Sequence, residues 1–160
     1  MTEQTAEPAS AEFRQWFEDR IKALEIPARE IIASGQDHQP IIFAHSTDGQ
    51  VAALPLDFKD EDAKDFAAFV HRKLAADDYV YAAIMITEAW AAIEDGSKLM
   101  PSERKDRREI LMFNALRRNQ QLLAIYDIDR KAKTLKLAHI TDPFGGPTGG
   151  RMILSQPTKH

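Results

Sequence analysis

The chain has 160 residues, of which 44% are hydrophobic and 29% charged, and a formal net charge of −4. A chain of that size buries enough surface for a core of its own, and this balance excludes wholesale disorder, a collagen-like repeat and a coiled-coil rod. Cysteine is absent, which removes disulfides, thiolate zinc sites, iron–sulfur clusters and cysteine nucleophiles from consideration.

The charge is uneven along the chain. Residues 1–97 carry 8 Lys+Arg against 19 Asp+Glu, a balance of −11, whereas residues 98–160 carry 13 against 6, a balance of +7. A basic second half can contact nucleic acid or an acidic partner, or the two halves can neutralise each other inside one fold. A pI of about 5.7 disfavours a dedicated DNA binder. The longest apolar stretch, Tyr79 to Ile86, falls short of the ~20 residues of a spanning helix. The acidic, polar N-terminus lacks the features of a secretory signal. With no cysteine to oxidise, the expected setting is the cytoplasm, away from any membrane.

Residues 1–8 read as a polar tail, 9–140 as one α+β domain and 141–160 as a Gly- and Pro-rich segment. From Ala9 to Ile26 the side chains Phe13, Trp16, Phe17, Ile21 and Leu24 fall at helical spacing, with Ser10 as a cap candidate. Pro27 suits the first turn of a second short helix, and Gly35 its left-handed stop. Residues 36–40 read as a loop. Two apolar runs, Ile41–His45 and Val51–Leu56, flank Asp48-Gly49, a hairpin signature with positive φ in the turn, and Pro55 places the second strand's end there or at a sheet edge.

Asp60, Glu61 and Asp62 open a helix at its positive dipole end. Phe66, Phe69, Val70 and Leu74 make its apolar stripe, and it stops near Asp77-Asp78. His71 falls on its polar face, and His38 lies in a loop, so both are expected in solvent. Residues 79–88 are the strongest strand signal, with a strand or helix possible for the Ala-rich continuation to Ile93. After a polar loop from Glu94 to Asp106, three segments (Glu109–Leu116, Gln121–Asp129 and Thr134–His139) read as antiparallel neighbours joined by turns of hairpin length. The expected fold is therefore α+β: hairpin, helix, then a four-strand meander, in a mostly antiparallel sheet covered by helices on one face.

The chemistry-bearing residues are sparse. His45 and His139 end predicted strands and Glu88 lies late in a third, so a His-His-Glu metal site with an open position is conceivable. It lacks any His-x-His or His-Glu-x-x-His spacing, and His139 shares parity with Leu135 and Leu137, as a buried structural histidine would. No metal or other cofactor is expected. Ser46 and Ser102 lack a nucleophile elbow and an adjacent base. The glycines of residues 145–150 lack the lysine-hydroxyl ending of a phosphate loop, so that segment reads as a tail wrapping an edge through Met152, Ile153 and Leu154.

Arginine is the richer signal. Arg104, Lys105, Arg107 and Arg108 crowd one loop, and the meander brings that loop near the 130–133 turn with Arg130 and Lys131. Arginine's planar fork suits phosphate or an acidic surface; an internal ion-pair set with Asp106, Glu109 or acids of the first half is the alternative. The run Glu88-Ala89-Trp90, then Pro101-Ser102 through Asp106-Arg107-Arg108-Glu109 and an apolar strand, resembles a pattern in bacterial and phage proteins of no established function. The resemblance covers about residues 79–116, with Glu88, Trp90, Ser102, Asp106, Arg107 and Glu109 as the matching positions. It implies neither activity nor cofactor. Physically, Arg107 could reach Glu88 across the strands under a covering Trp90.

The expectation from sequence is a small, non-enzymatic protein-interaction module, phage or mobile-element associated, whose partner is a protein or a second copy of itself. Phe13, Trp16 and Phe17 form the interaction helix, with Arg104, Lys105, Arg107, Arg108, Glu88 and Trp90 as the candidate binding set. The alternatives are a metal-dependent or hydrolytic enzyme using His45, Glu88 and His139, and nucleic-acid or phosphate contact through the basic loop.

Overall fold

A computed structural model describes residues 6–93, 107–145 and 152–155. Among these residues two helices and seven strands follow one another as α1 (Ala11–Ala33), β1 (Ile41–Ser46), β2 (Val51–Pro55), α2 (Glu61–Ala76), β3 (Val80–Ile93), β4 (Arg108–Arg117), β5 (Gln120–Asp129), β6 (Thr134–Thr141) and β7 (Met152–Ser155). Six strands lie in the order β2-β1-β3-β4-β5-β6, every pairing antiparallel, and β7 joins β3 beyond the reach of β1. β1 takes β3 residues up to Ile86, and β7 takes Trp90 to Ile93. The α+β class, the hairpin and the four-strand meander stand as expected. The loop from Glu94 to Asp106 and the glycines at 146–150 lie outside the described residues.

α1 starts at Ser10, whose Oγ accepts from the Phe13 N–H at 3.1 Å. Asp142, buried at the end of β6, holds the same start by accepting from Ala9 N and Arg14 Nη2, each at 2.8 Å. The helix ends at Gly35, whose φ of +81° is the left-handed stop glycine supplies without strain. It is one helix, not two: Pro27 lies inside it. The reason is packing, since Phe13, Phe17, Ile21, Ala28 and Ile32 form one continuous buried stripe on the sheet, and tertiary burial outweighs the hydrogen bond a proline removes. Pro27 itself is exposed. Pro27→Ala restores that donor and removes the ring's clash, so the chain should gain about 1–2 kcal/mol. The midpoint of urea unfolding reads this directly; a lower midpoint would show that the proline fits an already adapted helix.

The helices do not cover one face, as expected from sequence, but divide between the two faces of the sheet, because alternate residues of β3 are apolar on both sides. α1 packs on the face presented by Ala82, Ile84, Ile86, Leu111, Phe113, Ala124 and Tyr126, and the Tyr126 hydroxyl donates to Glu25 at 2.7 Å. α2 packs on the other face, over Ile42, Ala83 and Met85, with Leu54, Leu56 and Phe58 closing its margin. Alternate residues of a strand point oppositely, so neighbouring positions of β3 serve the two helices in turn.

α2 is capped by Asp60, which accepts from Ala63 N at 2.8 Å. Its buried stripe is Ala67, His71 and Ala75, while Phe66 and Phe69 are 67% and 48% exposed. The apolar stripe expected from sequence is thus rotated: two alanines allow the helix to lie close to the sheet, and His71 is buried, donating from Nε2 to the Ala83 carbonyl at 2.8 Å. His38 is buried as well, with Nδ1 on the Gln39 carbonyl at 2.8 Å. Neither histidine is in solvent.

The β1–β2 turn uses Gly49 at φ +90° as its left-handed residue, while Asp48 keeps a negative φ. β2 lies at the sheet edge and ends at Pro55, as the proline requires. The Leu56 N–H reaches the Pro40 carbonyl and the Ser46 N–H reaches that of Gln50. The even-numbered residues of β2 therefore face β1, and Val51, Ala53 and Pro55 turn their backbone groups outward.

Candidate functional site

Polar chemistry gathers in two places, at opposite ends of β3. The first surrounds Glu88. Arg130, just after β5, meets Glu88 at 2.7 Å through Nη2, Glu109 at 2.8 Å through Nε and Asp37 at 3.2 Å, and donates to the Gln36 carbonyl at 3.3 Å. The second oxygen of Glu88 accepts from the His38 backbone N–H. Burial raises the Glu88 pKa, Asp37 and Glu109 add to that, and the His38 N–H and Arg130 oppose it. Both Glu88 oxygens are thus engaged within the chain, and the knot ties the connector between α1 and β1 to the end of the sheet.

The residues expected to form a binding set around Glu88 are placed differently. Arg130, not Arg107, reaches Glu88; Arg107 lies over the Trp90 ring, 4.2 Å from its centre. Arg108 meets Asp127 at 3.6 Å. Arg104 and Lys105, with Ser102 and Asp106, lie outside the described residues. The cross-strand register explains Arg130: Glu109 pairs with Trp90, and the β5–β6 turn begins beside them.

The metal arrangement of His45, Glu88 and His139 does not assemble. His45 pairs with Ala82, six positions before Glu88, a separation of about 20 Å along a strand. A register shift after Ile125 turns His139 away from the face of Leu135 and pairs it with Ile125 instead, in an exposed position. The parity of His139 with Leu135 and Leu137 is lost at that bulge, because one extra residue inverts every side chain beyond it. Among the described residues no group of three His, Cys, Asp or Glu side chains could hold a metal ion.

Of the expected interaction helix, Phe13 and Phe17 are wholly buried on the chain's own sheet, so they offer no surface to a second copy. Trp16 stands one position off that stripe and forms the second site. A cleft of about 290 Å³ opens between α1 and the β1–β2 turn, lined by Glu12, Trp16 and Arg20 of the helix, His45, Ser46, Thr47 and Gly49 of the hairpin, and Tyr81. Glu12, Trp16 and Arg20 share one helix flank at spacings of four. The Trp16 ring meets His45 edge-on at 5.0 Å and Tyr81 at 5.0 Å, and Arg20 lies 5.9 Å above its centre. Beyond Tyr81, Arg117 sits 4.0 Å from that ring and donates to the Tyr81 carbonyl at 2.9 Å.

The turn that forms the opposite wall is internally bonded. Ser46 Oγ donates to Asp48 and accepts from Gln50 N at 2.9 Å, and Thr47 N–H reaches the Tyr79 carbonyl at 3.0 Å.

Three buried polar atoms here have no hydrogen-bond partner among the described residues: both ring nitrogens of His45 and Nε of Arg20. The carbonyls of Phe43 and Ala82 lie close enough to favour a protonated ring slightly, without completing a bond. Burial, reinforced by Arg20, outweighs them and lowers the His45 pKa to about 4, so the ring is neutral at pH 7. Burial also raises the Tyr81 pKa; Arg117 opposes that and Glu12 adds to it. Such an imidazole is a weak base without a hydroxyl or carboxylate partner, and the hydroxyl of neighbouring Ser46 is turned to Asp48. The set needed for nucleophilic hydrolysis is not assembled at His45. Sequence reasoning missed the cleft because its lining comes from three separated segments. The signal present was the Glu12-Trp16-Arg20 spacing on the helix's polar flank.

Compared with protein-family models, with curated proteins and with solved structures, the chain finds no match.

Proposed function

We propose that the chain is a non-enzymatic recognition module that works by contact with another protein, and that the cleft between α1 and the β1–β2 turn takes a side chain or chain end of that partner. The observation that carries this is Arg20: its guanidinium lies on Trp16 at the lip of an open cleft, with a buried Nε that nothing in the described chain accepts from. A buried donor left unmade costs about 1–3 kcal/mol, and a partner group that supplies the acceptor recovers it. The cleft's volume of about 290 Å³ lies at the lower limit of small-molecule pockets, which suits a residue-sized group better than a cofactor.

Among the described residues no helix is long and apolar enough to cross a membrane, and we place the module in the cytosol on its cysteine-free sequence. A phage or mobile-element association rests on the Glu88-Ala89-Trp90 resemblance alone. Nucleic-acid contact is the weaker reading, because Arg108 and Arg130 both meet carboxylates.

A set of amino-acid-sized fragments of positive, negative and zero charge, titrated against the ¹⁵N-labelled chain, tests the proposal. Shifts should cluster on the Trp16 indole, Thr47, Gly49 and Tyr81 and vanish in Trp16→Ala. Shifts confined to other surfaces, or no shifts with any fragment, would refute it.

A further inference from the structure

Resting on the reading of the cleft as the recognition surface, we infer that the group it accepts is a peptide carboxylate carried beside an apolar side chain. The lining is polarised along α1. Glu12, Trp16 and Arg20 follow at four-residue steps, about 12 Å from first to last: an acid at one end, an aromatic plate in the middle and a guanidinium at the other. Arg20 Nε has no acceptor among the described residues, and the planar fork of arginine matches a carboxylate with two parallel hydrogen bonds. His45 stands beside it with one N–H and one lone pair unused, so the unmet demand in this wall is mainly for acceptors.

Two features narrow the anion further. Glu12 lines the same cleft and repels a second negative charge, which favours a singly charged carboxylate over a phosphate. The rings of Trp16 and Tyr81, tilted against each other with centres 5.0 Å apart, form the apolar portion and suit an adjoining hydrophobic side chain. Arg117, on the far side of Tyr81, adds positive field without entering the cleft's lining. Arg20 Nε is closed to solvent in the free chain. Seating a carboxylate against it therefore requires the side chains around it to shift, and the Trp16 indole, on which the guanidinium lies, is the reporter.

The test uses the full chain and three probes: N-acetylphenylalanine, its neutral amide and inorganic phosphate. The indole N–H signals of Trp16 and Trp90 are told apart with Trp90→Phe. The acid should move the Trp16 signal saturably. The amide should bind at least about tenfold more weakly, the value of one charge-assisted hydrogen bond, and phosphate should leave the signal in place. Arg20→Met, which keeps an unbranched apolar stem but removes the unmade buried donor, should reduce the acid to the amide's affinity without lowering the melting temperature. Equal binding of acid and amide, undiminished binding of the acid to Arg20→Met, or phosphate binding more tightly than the acid overturns the carboxylate assignment but leaves the cleft as the recognition surface. Silence of the acid overturns it too. If every fragment of the charged and neutral set is silent as well, the reading of the cleft falls with it.

Discussion

Between pH 7 and pH 4.5 the unfolding free energy should fall steeply, and buried histidines should account for most of the loss. His71 and His45 are 1% and 4% exposed, and each has its pKa lowered to about 4, foremost by burial, with Arg72 and Arg20 respectively adding to the effect. In the unfolded chain both titrate near 6.5. Below that value the unfolded state takes up protons that the folded state refuses until about pH 4. Stability is therefore at its full value above pH 6.5 and declines as the pH falls through this window. A shift of that size is worth up to about 3 kcal/mol per histidine. His38, lowered in the same direction by burial, adds to the slope, while Glu88, whose pKa is raised by burial, works in the opposite sense. Urea unfolding at pH 7.0, 5.5 and 4.5 measures the curve. His71→Gln keeps a donor for the Ala83 carbonyl but does not titrate, so its curve should be visibly flatter. A wild-type midpoint that does not move with pH would contradict the buried, neutral assignment of both rings.

Removing Arg130 should be the most damaging single change at the end of the sheet. Its guanidinium is the cation among Glu88, Glu109 and Asp37, and Arg130→Met leaves those three carboxylates facing one another. A fully buried pair broken on one side costs 3–5 kcal/mol. Arg130 keeps 33% of its side chain exposed and Glu88 12%, so screening reduces the expected loss to about 2 kcal/mol. The variant should also push the Glu88 pKa further upward, because the favourable charge has gone. Adding Glu88→Gln to Arg130→Met should recover part of the loss, and a double-mutant cycle from urea midpoints gives the coupling. Strict additivity of the two changes would show that the knot is a surface feature without structural weight.

Local signals carried most of the fold. Ser10 and Asp60 cap their helices as their side-chain chemistry dictates, Gly35 and Gly49 sit where a left-handed residue is needed, and the alternation in residues 109–137 produced the meander. What local pattern does not encode is which face wins when several suit. α2 carries a Phe66-Phe69 flank more hydrophobic than the one it buries, yet the alanine-lined flank lies against the sheet and takes His71 with it. Pro27 is a helix breaker by local rules, overruled by a buried stripe that runs through it. The bulge after Ile125 has no signature in residues 134–139, and it reversed the orientation of His139. Arg130 meets Glu88 across 42 positions, and the cleft joins residues 12–20, 45–49 and 81; both depend on topology that spacing does not reveal.

The last position of β2 has a bearing on how the molecule behaves in a crowd. Val51, Ala53 and Pro55 offer their main-chain groups away from β1, and this rim carries no charged side chain, the kind of border along which foreign strands zip on to seed fibrils. The pyrrolidine ring removes a donor from that short row. An intruding strand could satisfy at most two amides before meeting a gap, so growth along this border stalls at the proline.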